Sequence, residues 1–301
     1  MAKDTTGSST DRITEEWAQS LHSRANPSTI GRDECIRCHD GVAFAQNISQ
    51  SAQLASPIGQ DCFSCHAGYG RELKEVGVLD VPTKDVFNAG LGAVCSSCHN
   101  ANDVPDISNP RRAYPHYSSQ ADVLTGFGGI RENEEIQFNN TYGHISLANS
   151  CVDCHMPTNK SAYISHEFKM QAEFAELVCA ACHQGATDFN FLAKADYDGN
   201  GKIEGIQDEV VGLMDILEGA IIDELEGGSF AASKGSINYY DKKGNIINSV
   251  PDEVYLASYN YLLIEYDGSL GVHNPLFTVQ ILQYSYKQLT GEDIPNASLV
   301  R

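Results

Sequence analysis

Apolar positions recur at helical spacing in only a few stretches of this 301-residue chain, and the strongest lie in its last third. Over Asp208 to Glu226, the side chains Val210, Leu213, Met214, Leu217, Ile221 and Leu225 fall on one side of a helix, and Gly227-Gly228 supplies the stop. Gly212 and Gly219 interrupt that stripe. Two further helices are expected, Asp252 to Glu265 and Asn274 to Leu289, with a Tyr-rich apolar face in which Tyr255, Tyr259 and Tyr261 serve as core. Asn274 is placed to cap the last of these, and Pro275 suits its first turn. Ser236 to Asn248 reads as a hairpin, with Ile237, Tyr239 and Ile247 flanking the turn Asp241-Lys242-Lys243-Gly244-Asn245.

Before residue 185 the texture differs. Gly, Ser, Asn and Pro are interleaved throughout. The helices expected there are short, apart from Lys169 to Cys182 and an amphipathic stretch Glu16 to His22 in which Trp17 and Leu21 share a face. So loop-rich a segment lacks the side chains for a core of its own. The pattern predicts a mainly α chain with extensive irregular loops and few strands. It divides into residues 1–185, which include an N-terminal arm, and 186–301, a helical region.

Charge narrows the partners. Twenty Lys and Arg against forty Asp and Glu give a formal net charge of −20, which opposes nucleic acid and anionic membrane surfaces. The most apolar run, Val210 to Ile222, is shorter than the roughly 18 residues a membrane span needs and carries Asp215 and Glu218. The opening Met1-Ala2-Lys3-Asp4 lacks the apolar stretch of a secretory leader. An exported chain would therefore have been trimmed, or its numbering begins at the mature end.

Cysteine supplies the chemistry. The ten cysteines fall in five identical frames, Cys35-Ile36-Arg37-Cys38-His39, Cys62-Phe63-Ser64-Cys65-His66, Cys95-Ser96-Ser97-Cys98-His99, Cys151-Val152-Asp153-Cys154-His155 and Cys179-Ala180-Ala181-Cys182-His183, with none left over. C-x-x-C-H attaches haem c: the thiols, one helical turn apart, reach two vinyl carbons while the next imidazole meets the iron. A disulfide framework explains an even count but not a histidine after every second cysteine. Zinc knuckles explain C-x-x-C without that fifth residue. Five haem c groups are therefore expected, forming much of the core that the first region lacks.

Five of the ten histidines lie outside the motifs: His22, His116, His144, His166 and His273. Taken singly, each has a plain alternative as a surface or core residue. Together they equal the number of distal positions. Methionine, the usual other axial ligand, is limited to Met1, Met156, Met170 and Met214, and Met156 directly follows a proximal histidine. Bis-histidine ligation throughout is the economical reading. An iron closed on both sides exchanges electrons without activating a substrate, whereas a nitrite- or hydroxylamine-reducing enzyme needs one open iron.

One more stretch carries metal chemistry. Asp196-Tyr197-Asp198-Gly199-Asn200-Gly201-Lys202-Ile203-Glu204 follows the start of a calcium loop, with oxygen donors at alternate positions and Gly201 at the sharp turn. The twelfth position, where a bidentate Glu belongs, holds Gln207. Asp208 follows and could take that role, so the candidates are Asp196, Asp198, Asn200, Lys202 and Asp208. An acidic Gly-Asn turn without an ion fits the same residues.

Several of these elements resemble a known group. Cys151-Val152-Asp153-Cys154-His155-Met156-Pro157 preceded by His144, Pro115-His116 with Ser119-Gln120, Gly271-Val272-His273-Asn274-Pro275, and the loop Asp196 to Glu204 resemble the extracellular cytochromes of the OmcE type. The resemblance covers most of residues 15 to 290. It implies an extracellular electron-transfer protein that polymerises with copies of itself into filaments of stacked haems, and hands electrons to redox proteins or extracellular acceptors. It also implies a histidine donated across the subunit boundary, for which His22, near the N-terminus, is the fitting position. The OmcE type carries four haems, where this chain presents five motifs. A soluble periplasmic carrier, or the electron-donor subunit of a reductase, is the alternative.

Overall fold

Within residues 8–54, 56–109, 111–131 and 136–301, which the computed structural model describes, helices are numerous and mostly short. The opening Met1-Ala2-Lys3-Asp4 stretch lies outside the described residues. In chain order the helices are α1 (Ser9–Gln19), α2 (Asp33–His39), α3 (Gly41–Ala45), α4 (Cys62–His66), α5 (Gly68–Val76), α6 (Ala93–Ser96) and α7 (Gln120–Thr125). They continue with α8 (Tyr142–Ile145), α9 (Cys151–His155), α10 (Phe174–Val178), α11 (Ile206–Glu224), α12 (Asp252–Asp267) and α13 (Pro275–Thr290). Strands β1 (Val78–Val81) and β2 (Lys84–Asn88) pair with each other, while β3 (Ser229–Ser233), β4 (Ser236–Tyr240) and β5 (Ile246–Ile247) form a sheet in that order.

The hairpin expected near 236–248 forms as β4 and β5, with Tyr239 opposite Ile247. It does not stand alone, because β3 adds a strand on the other side of β4 and β1–β2 makes a second hairpin. Lys234-Gly235 joins β3 to β4 with both residues at positive φ, 53° and 82°, the twist that a two-residue hairpin turn requires. Ser229–Ser233 is mostly small residues, so it carries little strand signal of its own.

The contacts divide the chain into two units. The first comprises the residues up to Leu79, together with Asn88–Cys98 and Leu147–Asp188. In it α1 opens with a capping box: Asp11 N donates to Ser8 Oγ (3.2 Å) and Ser8 N to the Asp11 carboxylate (2.9 Å). The helix ends at Gln19, short of His22, because Ser20 is extended and the hydroxyls of Ser20 and Ser23 donate to the Trp17 and Ala18 carbonyls. Leu21 is exposed rather than sharing a buried face with Trp17, whose Nε1 donates to the Gln60 carbonyl (2.8 Å). The helix expected over Lys169 to Cys182 is also shorter. Phe168 sits at φ 59° with its carbonyl taken by a histidine ring, so the helix starts only at Phe174 and tightens to a 3-10 turn over Cys179–Ala181.

The second unit comprises Asp80–Phe87, His99–Ser146 and Phe189–Arg301. Segments 80–87 and 99–146 thus belong to it, although they precede the composition break at residue 185. One continuous apolar cluster fills it, built on α11, α12 and α13. α11 turns Val210, Leu213, Leu217 and Ile221 fully inward, each such side chain contributing about 1.5–3 kcal/mol. α12 is buried on almost every side, and Tyr255 donates from its hydroxyl to the Ala113 carbonyl (2.8 Å). Tyr261 is half-buried and meets Phe230 edge-on. α13 starts as its sequence predicts: Asn274 accepts from Phe277 N (3.4 Å), and its amide donates to the Val123 and Leu124 carbonyls. Gly212, which weakens the α11 pattern, has a packing reason, since a Cβ there would lie 2.0 Å from the Asp198 carboxylate. Among the described residues no helix is long and apolar enough to cross a membrane.

Candidate functional site

All five cysteine pairs lie in the first unit. The first, second and fourth motifs are α-helical turns that end on their histidine, in α2, α4 and α9. On such a turn residues i, i+3 and i+4 share a face, so two sulfurs and an imidazole point the same way. In the third motif α6 stops at Ser96, and Cys98 N turns back to the Cys95 carbonyl (3.1 Å). In the fifth, His183 N donates to the Cys179 carbonyl (2.7 Å), while Cys182 and His183 are exposed.

Sulfurs of different motifs meet. Cys38 is hydrogen-bonded to Cys98, and Cys95 to Cys151. These contacts and burial hold the Cys98 and Cys95 thiols protonated, well above the ordinary range. Burial pushes Cys154 up to about 11, with Cys179 acting in the same direction. The neighbours link the first motif to the third, the third to the fourth, and the fourth to the fifth.

Three histidines of the first unit converge on Phe168, and a fourth lies against one of them. His155 Nδ1 donates to the Phe168 carbonyl (2.7 Å), His166 meets the Phe168 ring at 5.7 Å, and His22 rests edge-on against it at 4.8 Å. His66 faces His166 with ring centroids 6.2 Å apart and planes 28° from parallel. Two imidazoles on opposite sides of one metal, each bonded at about 2 Å, stand with their centroids about 6 Å apart. The His66–His166 spacing equals that distance, in a pair whose rings are stacked. His166 Nδ1 donates to the Ile164 carbonyl (2.9 Å). Because a carbonyl only accepts, such a contact places the proton on Nδ1 and the lone pair on Nε2, the tautomer that an iron takes. Burial lowers the pKa of His66, helped by the Lys74 ammonium and by His166. His39, lowered by burial as well, lines a cleft in which Ile30, Ile36, Leu54 and Pro57 alternate with the polar Thr29, Asp40 and Ser51.

The His166 segment is held by a residue that the sequence marks only as part of a helix face. Glu16 of α1 is buried, and its carboxylate accepts from Tyr163 Oη (2.6 Å), Ser165 Oγ (3.3 Å) and His166 N (2.7 Å).

In the second unit the turn between α12 and α13 gathers three further histidines. His99 Nδ1 meets Gln120 Oε1 (3.2 Å), and Gln120 Nε2 donates to the carbonyls of Tyr266 and Asp267 that end α12 (3.0 and 3.2 Å). His273 Nδ1 lies 2.6 Å from Asp267 Oδ1, and His144 Nδ1 is 3.3 Å from the His273 carbonyl. His116 N donates to the Ala101 carbonyl (3.2 Å), and its ring meets Ser118 Oγ (3.0 Å). Gln120 lies in a stretch already singled out by resemblance, whereas Asp267 carries no sequence signal.

The acidic loop closes differently from its sequence expectation. Asp196 Oδ1 and Oδ2 accept from Gly199 N and Gly201 N, and Asp198 and Asn200 accept from Asn200 N and Lys202 N. The carboxylate that reaches the loop is that of Glu209, not Asp208. Asp208 instead accepts from Asn190 Nδ2 (2.7 Å), while Glu209 is fully buried and accepts from Tyr197 N, Asp198 N and Glu204 N. Carboxylate oxygens of Asp196, Asp198 and Glu209 lie within 4.8 Å of one another. Burial, Glu209 and Asp196 all raise the pKa of Asp198.

Repeated helical turns that present two thiols and an imidazole, on a mainly helical and loop-rich chain, define a multihaem c-type cytochrome. The chain belongs to the cytochrome c552 family, which matches residues 135–294, a stretch holding the fourth and fifth motifs, His144, His166, His273 and the acidic loop. It is similar to the C-type polyheme cytochrome OmcC of Geobacter sulfurreducens, 25% identical over 167 residues that make 52% of this chain and 21% of that one. Its fold is similar to the crystal structure of the outer cell wall cytochrome OcwA, with a TM-score of 0.54 and 20% identity over 91% of this chain and 50% of that one. The chain thus covers about a fifth of OmcC and about half of OcwA. Haem c with iron is the cofactor of the family, and the donor set fits it: paired thiols, an adjacent imidazole, and rings whose Nδ1 is engaged by protein acceptors.

Proposed function

We propose that this chain binds five haem c groups and carries electrons between them over long range. Haem c supplies a one-electron iron couple when bound. Cys35 with Cys38, Cys62 with Cys65, Cys95 with Cys98, Cys151 with Cys154 and Cys179 with Cys182 fix one macrocycle each. His39, His66, His99, His155 and His183 would each ligate the iron of the haem beside them, and His22, His116, His144, His166 and His273 would supply the second ligands. With imidazole on both sides the chain keeps substrate off the metal, which makes it an electron-transfer protein rather than an enzyme. The observation that carries this reading is the 6.2 Å spacing of His66 and His166. The Cys38–Cys98 and Cys95–Cys151 contacts support an electron path by drawing the first, third and fourth attachment points together.

The chain works outside the cytoplasm as the protomer of an extracellular filament, with His22 ligating a neighbour's haem and redox proteins or extracellular acceptors at the ends. The resemblance of its motifs supports this. A soluble periplasmic carrier, or a reductase's electron-donor subunit, is the second reading, and one observation favours it: His22 packs against Phe168 of its own chain. Negative-stain microscopy of the haem-replete protein separates them. Filaments that disappear in His22→Ala, while all five haems stay attached, support the first; monomers support the second.

Asp196, Asp198, Asn200 and the main-chain carbonyl of Lys202 take a calcium ion with Glu209 closing the site, since three neighbouring carboxylates repel one another until a cation sits among them. Calorimetric titration should give one calcium bound per chain, and none in Glu209→Gln.

A further inference from the structure

Asp267 is the last residue of α12, its side chain entirely buried. Gly268 follows at φ 69°, the left-handed cap that turns the chain toward His273. One carboxylate oxygen lies 2.6 Å from His273 Nδ1, and the other accepts from Ser269 N (3.2 Å) and from Ser269 Oγ. Ser269 Oγ in turn accepts from His273 N (3.2 Å). The imidazole is thus held at its backbone and at Nδ1 by one short loop.

The chemistry of that contact differs from its neighbours. His155, His166, His144 and His99 direct Nδ1 to neutral carbonyl oxygens at 2.7, 2.9, 3.3 and 3.2 Å. His273 directs it to a buried carboxylate. A charge-assisted hydrogen bond is shorter and stronger than a neutral one, and a low-dielectric setting strengthens it further. It draws the Nδ1 proton away from the ring, and the ring pushes more electron density out through Nε2. On a haem iron, a more strongly donating axial ligand favours the ferric state, so the potential falls.

We infer that Asp267 is a positioning residue that orients His273 and lowers the reduction potential of the haem His273 ligates, making that haem distinct within the series. This rests on the proposal that His273 is an axial ligand. Along a chain of haems such a residue sets where electrons pause. Gln120, at the same helix end, supplies His99 with a neutral counterpart of the contact.

The test is a spectropotentiometric titration of the full, haem-replete chain, read beside electron paramagnetic resonance. Asp267→Asn keeps the shape and removes the charge. One of five one-electron components should move to a more positive potential, its low-spin signal shifting while the other four components stay in place. Ser269→Ala withdraws a hydroxyl donor from the carboxylate, leaves more of its charge for His273, and should move the same component the opposite way. His273→Ala should turn one haem high-spin. Titrations of Asp267→Asn and Ser269→Ala that superpose on the wild type, with one haem high-spin in His273→Ala, overturn the role of Asp267 alone. All five haems remaining low-spin in His273→Ala overturns the ligand assignment instead. Should Asp267→Asn fail to load haem, the direction of the Ser269→Ala shift decides.

Discussion

The second unit buries Leu213, Leu217, Ile221, Tyr255 and Ile281 in one continuous cluster, whereas the first buries Ile36, Phe44, Leu73 and Phe174 outside that cluster and holds all ten cysteines. The difference follows from what each segment can bury. Long amphipathic helices cover apolar area with their own side chains, so α11, α12 and α13 make a core that any globular protein would recognise. Helical turns of five residues cannot. In the first unit the short elements are tied instead by polar contacts, Glu16 to the 163–166 segment and Trp17 to Gln60, around the cysteine motifs.

Expression without haem attachment breaks this contrast most severely. The first unit should lose nearly all amide-exchange protection while α11 to α13 keep theirs; equal loss in both would contradict separate sources of order. Alkali acts on the other side. Burial raises Tyr239 and Tyr261 to about 12 from an ordinary 10. The unfolded chain gives up these protons first, so the stabilisation present below pH 10 is lost as pH rises toward 12. Amide exchange in α12 should accelerate across that window, and unchanged protection at its upper end would refute the assignment of these tyrosines to the core. Leu213→Ala should cost about 3 kcal/mol, seen as a lower denaturant midpoint for the second unit with the haem spectrum unaltered. Glu16→Ala removes three hydrogen bonds to a carboxylate and should cost the first unit about 2 kcal/mol, with the spectrum of one haem perturbed through the His166 segment.

The three long helices were legible because a 3.6-residue period persists over four or five turns, and their ends fell within two residues of expectation, Ile206–Glu224 against Asp208 to Glu226. The motifs were legible because their two thiols and imidazole lie within five consecutive residues. What stayed hidden acts across long separations: Glu16 reaches His166 from 150 residues away, and Gln120 reaches the end of α12 from 146. The choice between Asp208 and Glu209 shows a finer limit. Neighbouring positions on a helix point about 100° apart, so one residue separates a carboxylate aimed at Asn190 from one buried in the acidic loop. The helix expected over Lys169 to Cys182 failed because its pattern does not reveal that Phe168 turns its carbonyl to His155.

The central claim is that ten histidines close both axial sides of every iron in this chain. Electron paramagnetic resonance of the oxidised protein, with haem counted by mass, tests it most directly. Five attached haems with low-spin ferric signals only are expected, and a high-spin signal from any one of them would contradict it.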